Sequence, residues 1–200
     1  LIKNWAIWQR ILTAFLPTGV LGLIFYKLIK KYLLANGTVV VWALLLGGIA
    51  IIVFEEWRKK KGIEEDAEDK NGETNLSSIT FRQSFLIGIF QSIAMVPGVS
   101  RSAAPIIGGM VLGVKRKTIV EFSFLLALPT MAAATGLDLM KNAASFTNSD
   151  WGALAVGFVV SFAVAIFSVK FFLRFIQKHT FTVFGIYRIL AAIIFWLFVI

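Results

Sequence analysis

The 30 residues from Phe85 to Val114 form an apolar segment interrupted at its middle by Pro97-Gly98-Val99-Ser100-Arg101-Ser102, then by Pro105, Gly108 and Gly109. A continuous helix carries such a run poorly, because Pro removes a backbone donor and Gly weakens the helix. At membrane depth a broken backbone is tolerated only where protein or a cavity surrounds it. Two half-helices meeting at a buried loop satisfy both conditions. The segment is therefore expected to turn back on itself.

The remainder of the chain says which solvent this hairpin meets. Of the 200 residues, 58% are apolar and 16% charged, and the mean hydropathy is +0.82. A soluble domain runs closer to half apolar and a quarter charged. The excess is concentrated in runs expected to span a bilayer at residues 11–26, 38–57, 119–140, 151–173 and 181–200, with the re-entrant piece at 84–114. Together they form a single transmembrane domain over residues 1–200. Ile11 to Tyr26 is short for about 30 Å of hydrocarbon and carries Pro17, Gly19 and Gly22, but with Trp5 and Trp8 ahead of it the stretch can span. Thr38 to Trp57 is a cleaner span, closed by Arg58, Lys59, Lys60 and Lys61. Trp5, Trp8, Trp57, Trp151 and Trp196 lie near span ends, where indole rings anchor at the interface.

A cytoplasmic polar loop is expected at residues 58–82, and its part from Gly62 to Asn75 holds Glu64, Glu65, Asp66, Glu68, Asp69 and Glu73, a solvated and disordered composition. The net charge of +9 would point to nucleic acid in a soluble protein. Here the basic residues cluster at the ends of apolar runs, as orientation signals and headgroup contacts, so nucleic acid is set aside as a partner. Cys is absent, which excludes disulfides, thiolate catalysis and Cys-ligated metals. One His, His179, excludes a multi-His metal centre and reads as solvated on a turn. The chain starts at Leu1 rather than Met, and is expected to be cut at its N-terminus.

Charge counting fixes the expected topology. If residues 84–114 are re-entrant, 14 basic residues fall on one side of the membrane and four on the other; if they cross, the tally is nine against nine. The positive-inside rule selects the re-entrant arrangement and places the loop between Arg58 and Arg82 in the cytoplasm.

Within the hairpin, Arg101 is the sharpest residue. An intramembrane Arg costs several kcal/mol unless it is paired or hydrated, and its fork of donors matches phosphate oxygens. Ser100 and Ser102 add hydroxyls, Gly98 lets backbone N–H groups come close to a ligand, and a second half-helix starting near Ser102 would aim its N-terminus at the same spot. The constellation reads as an anion cradle for phosphate or carboxylate. The competing reading is a kinked span whose Arg101 pairs with a buried acid such as Glu121.

The run from Phe90 to Ser102, Phe90-Gln91-Ser92-Ile93-Ala94-Met95-Val96-Pro97-Gly98-Val99-Ser100-Arg101-Ser102, resembles the second signature of the bacitracin-resistance undecaprenyl-diphosphate phosphatases. The resemblance continues through Ile106-Ile107-Gly108-Gly109, Leu112-Gly113, Glu121-Phe122-Ser123-Phe124-Leu125-Leu126-Ala127-Leu128-Pro129 and Phe184-Gly185-Ile186-Tyr187-Arg188. It covers nearly the whole chain. It implies an all-α polytopic membrane protein, an inverted-repeat helical bundle with a re-entrant hairpin in each repeat. It also implies hydrolysis of undecaprenyl diphosphate to undecaprenyl phosphate and inorganic phosphate, recycling the cell-wall lipid carrier and conferring bacitracin resistance. The implied setting is the bacterial cytoplasmic membrane, with membrane lipid and a polyprenyl diphosphate as partners; a homo-oligomer is left open.

In that family the serine and arginine matching Ser100 and Arg101 bind or attack the diphosphate with the help of a divalent metal, Mg or Ca. The family's first signature, with two acidic positions four residues apart, a serine-rich turn and a His, is not in this chain. It is expected upstream of Leu1 with most of the first repeat, together with the metal ligands. No metal ligand is therefore assigned here, and the chain alone is expected to be inactive. Ala103 stands where the family usually has Gly. Gln91, Glu121 and Arg188 are secondary candidates: Gln91 for a polar role facing the loop, Glu121 for pairing with Lys115, Lys117 or Arg101, and Arg188 for a second diphosphate contact or a structural pair. A non-catalytic polyprenyl-phosphate transporter or lipid-phosphate binder is the alternative, since transporters also bind anions at half-helix ends.

Overall fold

The structure, a computed structural model, describes residues 5–33, 36–61, 75–142, 148–176 and 180–199. Acidic residues 64–73 of the expected polar loop, and His179, lie outside the described residues. Among the described residues every regular element is helical: α1 (Trp5–Leu28) with a π-helical turn at Ile29–Leu33, α2 (Gly37–Lys60), a 3₁₀ turn at Leu76–Ser78, α3 (Phe81–Ile93), α4 (Ala103–Val111), α5 (Arg116–Asn142), α6 (Asn148–Ile176) and α7 (Thr182–Val199). Four helical stretches, Trp5–Leu28, Gly37–Lys60, Arg116–Lys141 and Trp151–Phe172, are long and apolar enough to cross a membrane, and Thr182–Phe198 is a shorter apolar helix. The chain is an all-α membrane protein.

The first span differs from its sequence reading. Instead of a short stretch interrupted at Pro17, α1 is one helix of 24 residues that already includes Trp5 and Trp8, about 36 Å long at 1.5 Å per residue. Pro17 is buried inside it. In a membrane helix the freed carbonyl is re-satisfied locally, so one proline does not end the helix.

Two compact units are present, Leu1–Thr130 with Thr180–Ile200, and Met131–His179. In the second, Phe158 and Phe162 stack one turn apart on α6 with ring centroids 6.4 Å apart. The first contains the interrupted segment and is built from three helix pairings.

α2 and α7 run antiparallel, their crossing marked by two glycines. A Cβ on Gly48 would lie 2.8 Å from the Gly185 carbonyl oxygen, and one on Gly185 would lie 2.6 Å from Ile52 Cγ1. Small residues let helix backbones touch where no hydrophobic effect drives association. α1 meets α3 in the same manner, with Thr18 Oγ1 donating to the Gly88 carbonyl at 3.0 Å.

α3 and α4 form the third pairing, an antiparallel hairpin. Gln83 closes a capping box with Thr80 at the start of α3, and its Nε2 also donates to the Leu112 carbonyl just past α4, at 3.1 Å. Deeper in the hairpin, Phe90 packs against Gly108. With 13 and 9 residues, the two helices are about 20 and 14 Å long. Neither alone reaches across about 30 Å of hydrocarbon.

A buried ion pair joins α2, α5 and α7 at the end of α2 that carries the basic cluster. Arg116 pairs with Glu55, whose Oε1 also accepts the Phe181 N–H at 3.0 Å, while the guanidinium lies 4.5 Å from the Phe181 ring centroid. Both charged residues are buried. Among the described residues of this unit Glu55 is the buried acid, and Glu121 is half-buried.

Candidate anion site at the hairpin tip

Between α3 and α4 the chain passes through residues 94–102 in a succession of tight turns. The N–H groups of Ala94, Met95 and Val96 donate to the carbonyls of Gln91, Ser92 and Ile93 at 2.9, 3.1 and 3.1 Å, and Val99 N–H donates to Val96 O at 3.0 Å. Pro97 has no N–H to continue the helix. Gly98 reverses the chain with φ at +92°, a region that side-chain-bearing residues avoid.

Gly98 has a second reason to be glycine. A Cβ there would sit 2.6 Å from the Val40 carbonyl oxygen and 2.9 Å from Ala43 Cβ. The face without a side chain is turned to α2, so the loop rests directly on that helix.

Ser100 caps α4 from two residues back from the N-cap position. Its Oγ accepts the Ala103 N–H at 3.2 Å and lies 3.3 Å from Ser102 Oγ. Ser102, at the N-cap position, makes no side-chain cap bond of its own; its carbonyl accepts the Ile106 N–H at 3.2 Å and the Ser123 Oγ at 3.5 Å. Ala103 is thus the first residue of α4 and supplies the N–H that Ser100 holds. Both serines are half-buried, with hydroxyl protons that can turn toward an incoming acceptor.

Arg101 is exposed at the tip. Among the described residues no hydrogen bond, ion pair or ring contact engages its side chain, so the pairing with Glu121 weighed from the sequence is not formed. Glu121 is half-buried on α5 and has interactions of its own. Gln91 is 7% exposed, on the buried face of α3 that also carries Ser84, Ile87 and Gly88.

Arg188 comes from the opposite direction, on α7, and is 8% exposed. One terminal nitrogen, Nη2, donates to the Gly98 carbonyl at 2.7 Å and to the Ala43 carbonyl at 3.1 Å. The guanidinium is seated over Gly47, where a Cβ would come within 2.6 Å of that nitrogen. Nε is buried and finds no hydrogen-bond partner among the described residues. The tip therefore has one guanidinium on its open side and another behind it, and among the described residues neither meets a carboxylate. Such a site favours an anion with several oxygens.

The sequence reading missed three contributors. Ser123 is a buried polar residue in an apolar span, which is itself a signal for a partner. Ala43 and Gly47 give only backbone and space, and nothing in their identity marks them. For a divalent metal the fit is poor: among the described residues no three His, Cys, Asp or Glu side chains gather. The hairpin tip offers hydroxyls and guanidinium groups, which do not form a ligand set for a hard cation.

Residues 2–194 match the family model described as bacitracin resistance protein BacA. An undecaprenyl-diphosphatase of Aquifex aeolicus is 46% identical over 195 residues, 98% of this chain and 73% of the relative. One of Sulfurihydrogenibium sp. is 48% identical over 189 residues, covering 94% and 71%. One of Persephonella marina is 47% identical over 193 residues, covering 96% and 72%.

Proposed function

Because this chain belongs to the bacitracin resistance protein BacA family, we propose that its hairpin tip binds the diphosphate of undecaprenyl diphosphate for hydrolysis to undecaprenyl phosphate and inorganic phosphate. The activity is that of an undecaprenyl-diphosphatase, in keeping with relatives so named at 46–48% identity. The observation that carries the assignment of the site is Arg101, a guanidinium without a partner among the described residues, at the tip of two helices each too short to cross the bilayer.

In this reading Arg101 grips the terminal phosphate through two parallel N–H donors. Ser100 and Ser102 turn their hydroxyl protons to further phosphate oxygens, and Ser100 is meanwhile held by the Ala103 N–H. Gly98 contributes by shaping the loop, and Gln91 offers an amide on the buried side of the same hairpin. Hydrolysis forms a bond from the attacking oxygen to the terminal phosphorus and breaks the bond to the bridging oxygen, leaving charge on the lipid phosphate. Such a transition state needs little covalent help from protein; positioning and charge stabilisation dominate. Among the described residues the Ser100 hydroxyl is engaged by the Ser102 hydroxyl and the Ala103 N–H and by no carboxylate or imidazole, and in this reading it orients the attack. A divalent metal, Mg or Ca, would take its ligands from outside the described residues.

We place the protein in the bacterial cytoplasmic membrane as a multi-pass chain, with residues 84–114 entering and leaving on one side. Phosphate release by the full-length protein tests the site. Arg101→Ala is expected to lower kcat/KM by a factor on the order of 100 or more, as for loss of a charge-assisted contact made in the transition state. Arg101→Lys should recover little, because a point charge does not reproduce the fork. Near-normal turnover in Arg101→Ala would refute the role.

A further inference from the structure

We propose that Arg188 is a positioning residue for this reaction: it holds the hairpin tip against α2 and so sets where Arg101 and Ser100 stand. The proposal rests on the site assignment above for its catalytic consequence and on contacts alone for the clamp. Three observations support it. First, Arg188 Nη2 joins two backbone carbonyls that are 55 residues apart in sequence, Ala43 on α2 and Gly98 in the loop. Second, Gly47 leaves the space the guanidinium occupies, since any side chain there would displace it. Third, Gly98 has the positive φ and the bare face needed for its own carbonyl to meet Arg188 while its Cα rests on Val40.

A guanidinium buried on an apolar helix is costly unless every donor is used, yet among the described residues Nε has no partner. Its location is therefore set by the two carbonyls it bridges. Arg188 does not touch the open side of the tip in this arrangement; it acts through Gly98, three residues ahead of Arg101. Because reacting groups misplaced by about 1 Å lose on the order of 100-fold in rate, a clamp on the loop's height is a determinant of turnover even at a distance from the phosphate.

Gly47→Ala separates the clamp from the charge. The added methyl meets only the far end of the Arg188 side chain, which can swing away with the helix pair intact, so the cation is kept but its seat is lost. The experiment compares wild type, Gly47→Ala, Arg188→Met and the double variant in the full-length protein in detergent. Two readouts are taken: amide hydrogen exchange of residues 98–102 without substrate, and phosphate release from undecaprenyl diphosphate.

Both single variants are expected to speed exchange at the tip and to lower kcat/KM at least tenfold. The double variant should be no worse than Arg188→Met, because a shortened side chain no longer competes with the methyl; neighbours acting through one contact are non-additive. Exchange unchanged in both single variants would overturn the clamp. Faster exchange with normal phosphate release would overturn the positioning role, as would losses that multiply in the double variant. Should the wild type release no phosphate, it is the functional assignment that fails, and the exchange data still decide the clamp.

Discussion

Replacing Gly98 by Ala probes how closely the loop is laid on α2, and a second glycine provides the comparison. At Gly98 two costs combine. A side chain at φ +92° is disfavoured by about 1–2 kcal/mol. Its Cβ would also come within 2.6 Å of the Val40 carbonyl and 2.9 Å of Ala43, an overlap with backbone that cannot rotate away and that costs about 1–3 kcal/mol. The sum is about 2–5 kcal/mol, and the easiest relief is for the loop to lift from α2, breaking the 2.7 Å bond from Arg188. Gly113 has a similar φ of +81° but nothing within 4 Å of an added Cβ. Gly113→Ala should therefore cost only the backbone part, about 1–2 kcal/mol, and leave turnover unchanged. Thermal unfolding followed by circular dichroism gives the stabilities and phosphate release gives the rates. If Gly98→Ala and Gly113→Ala lose equal stability and equal activity, the tip is not held against α2 and the description of the site is wrong.

Two further substitutions test the frame around the tip. Glu55→Gln leaves Arg116 buried without its counter-charge and should destabilise by about 3–5 kcal/mol, while Glu55→Leu with Arg116→Met together should regain most of that loss; thermal unfolding distinguishes the two. Gln83→Ala removes both the capping box on α3 and the tie to Leu112 at the open end of the hairpin, an expected loss of about 1–2 kcal/mol, read as faster amide exchange at the start of α3.

The hairpin was legible because Pro97 and Gly98 interrupt an apolar run long enough to need explanation. α1 was harder: Pro17 marks a break in most soluble helices, but inside a span the neighbouring groups absorb it. The Glu55–Arg116 pair could not be read at all. Each residue looks like part of a span-end cluster, and only the packing of α2 beside α5 brings together positions 61 apart in sequence. Arg188 was visible as a costly intramembrane cation, whereas its partners are carbonyls of Ala43 and Gly98, groups every residue has. Side-chain chemistry can be read along the chain; backbone partners become apparent only once the helices are placed.

Equilibrium binding addresses the anion grip itself, apart from turnover. Full-length protein and its Arg101→Ala variant are titrated with undecaprenyl diphosphate and with undecaprenol, which has the same tail and no phosphate. An Arg101 guanidinium serving the headgroup predicts that the variant loses on the order of 100-fold in affinity for the diphosphate and none for the alcohol. Equal affinity of the two proteins for the diphosphate would contradict the account.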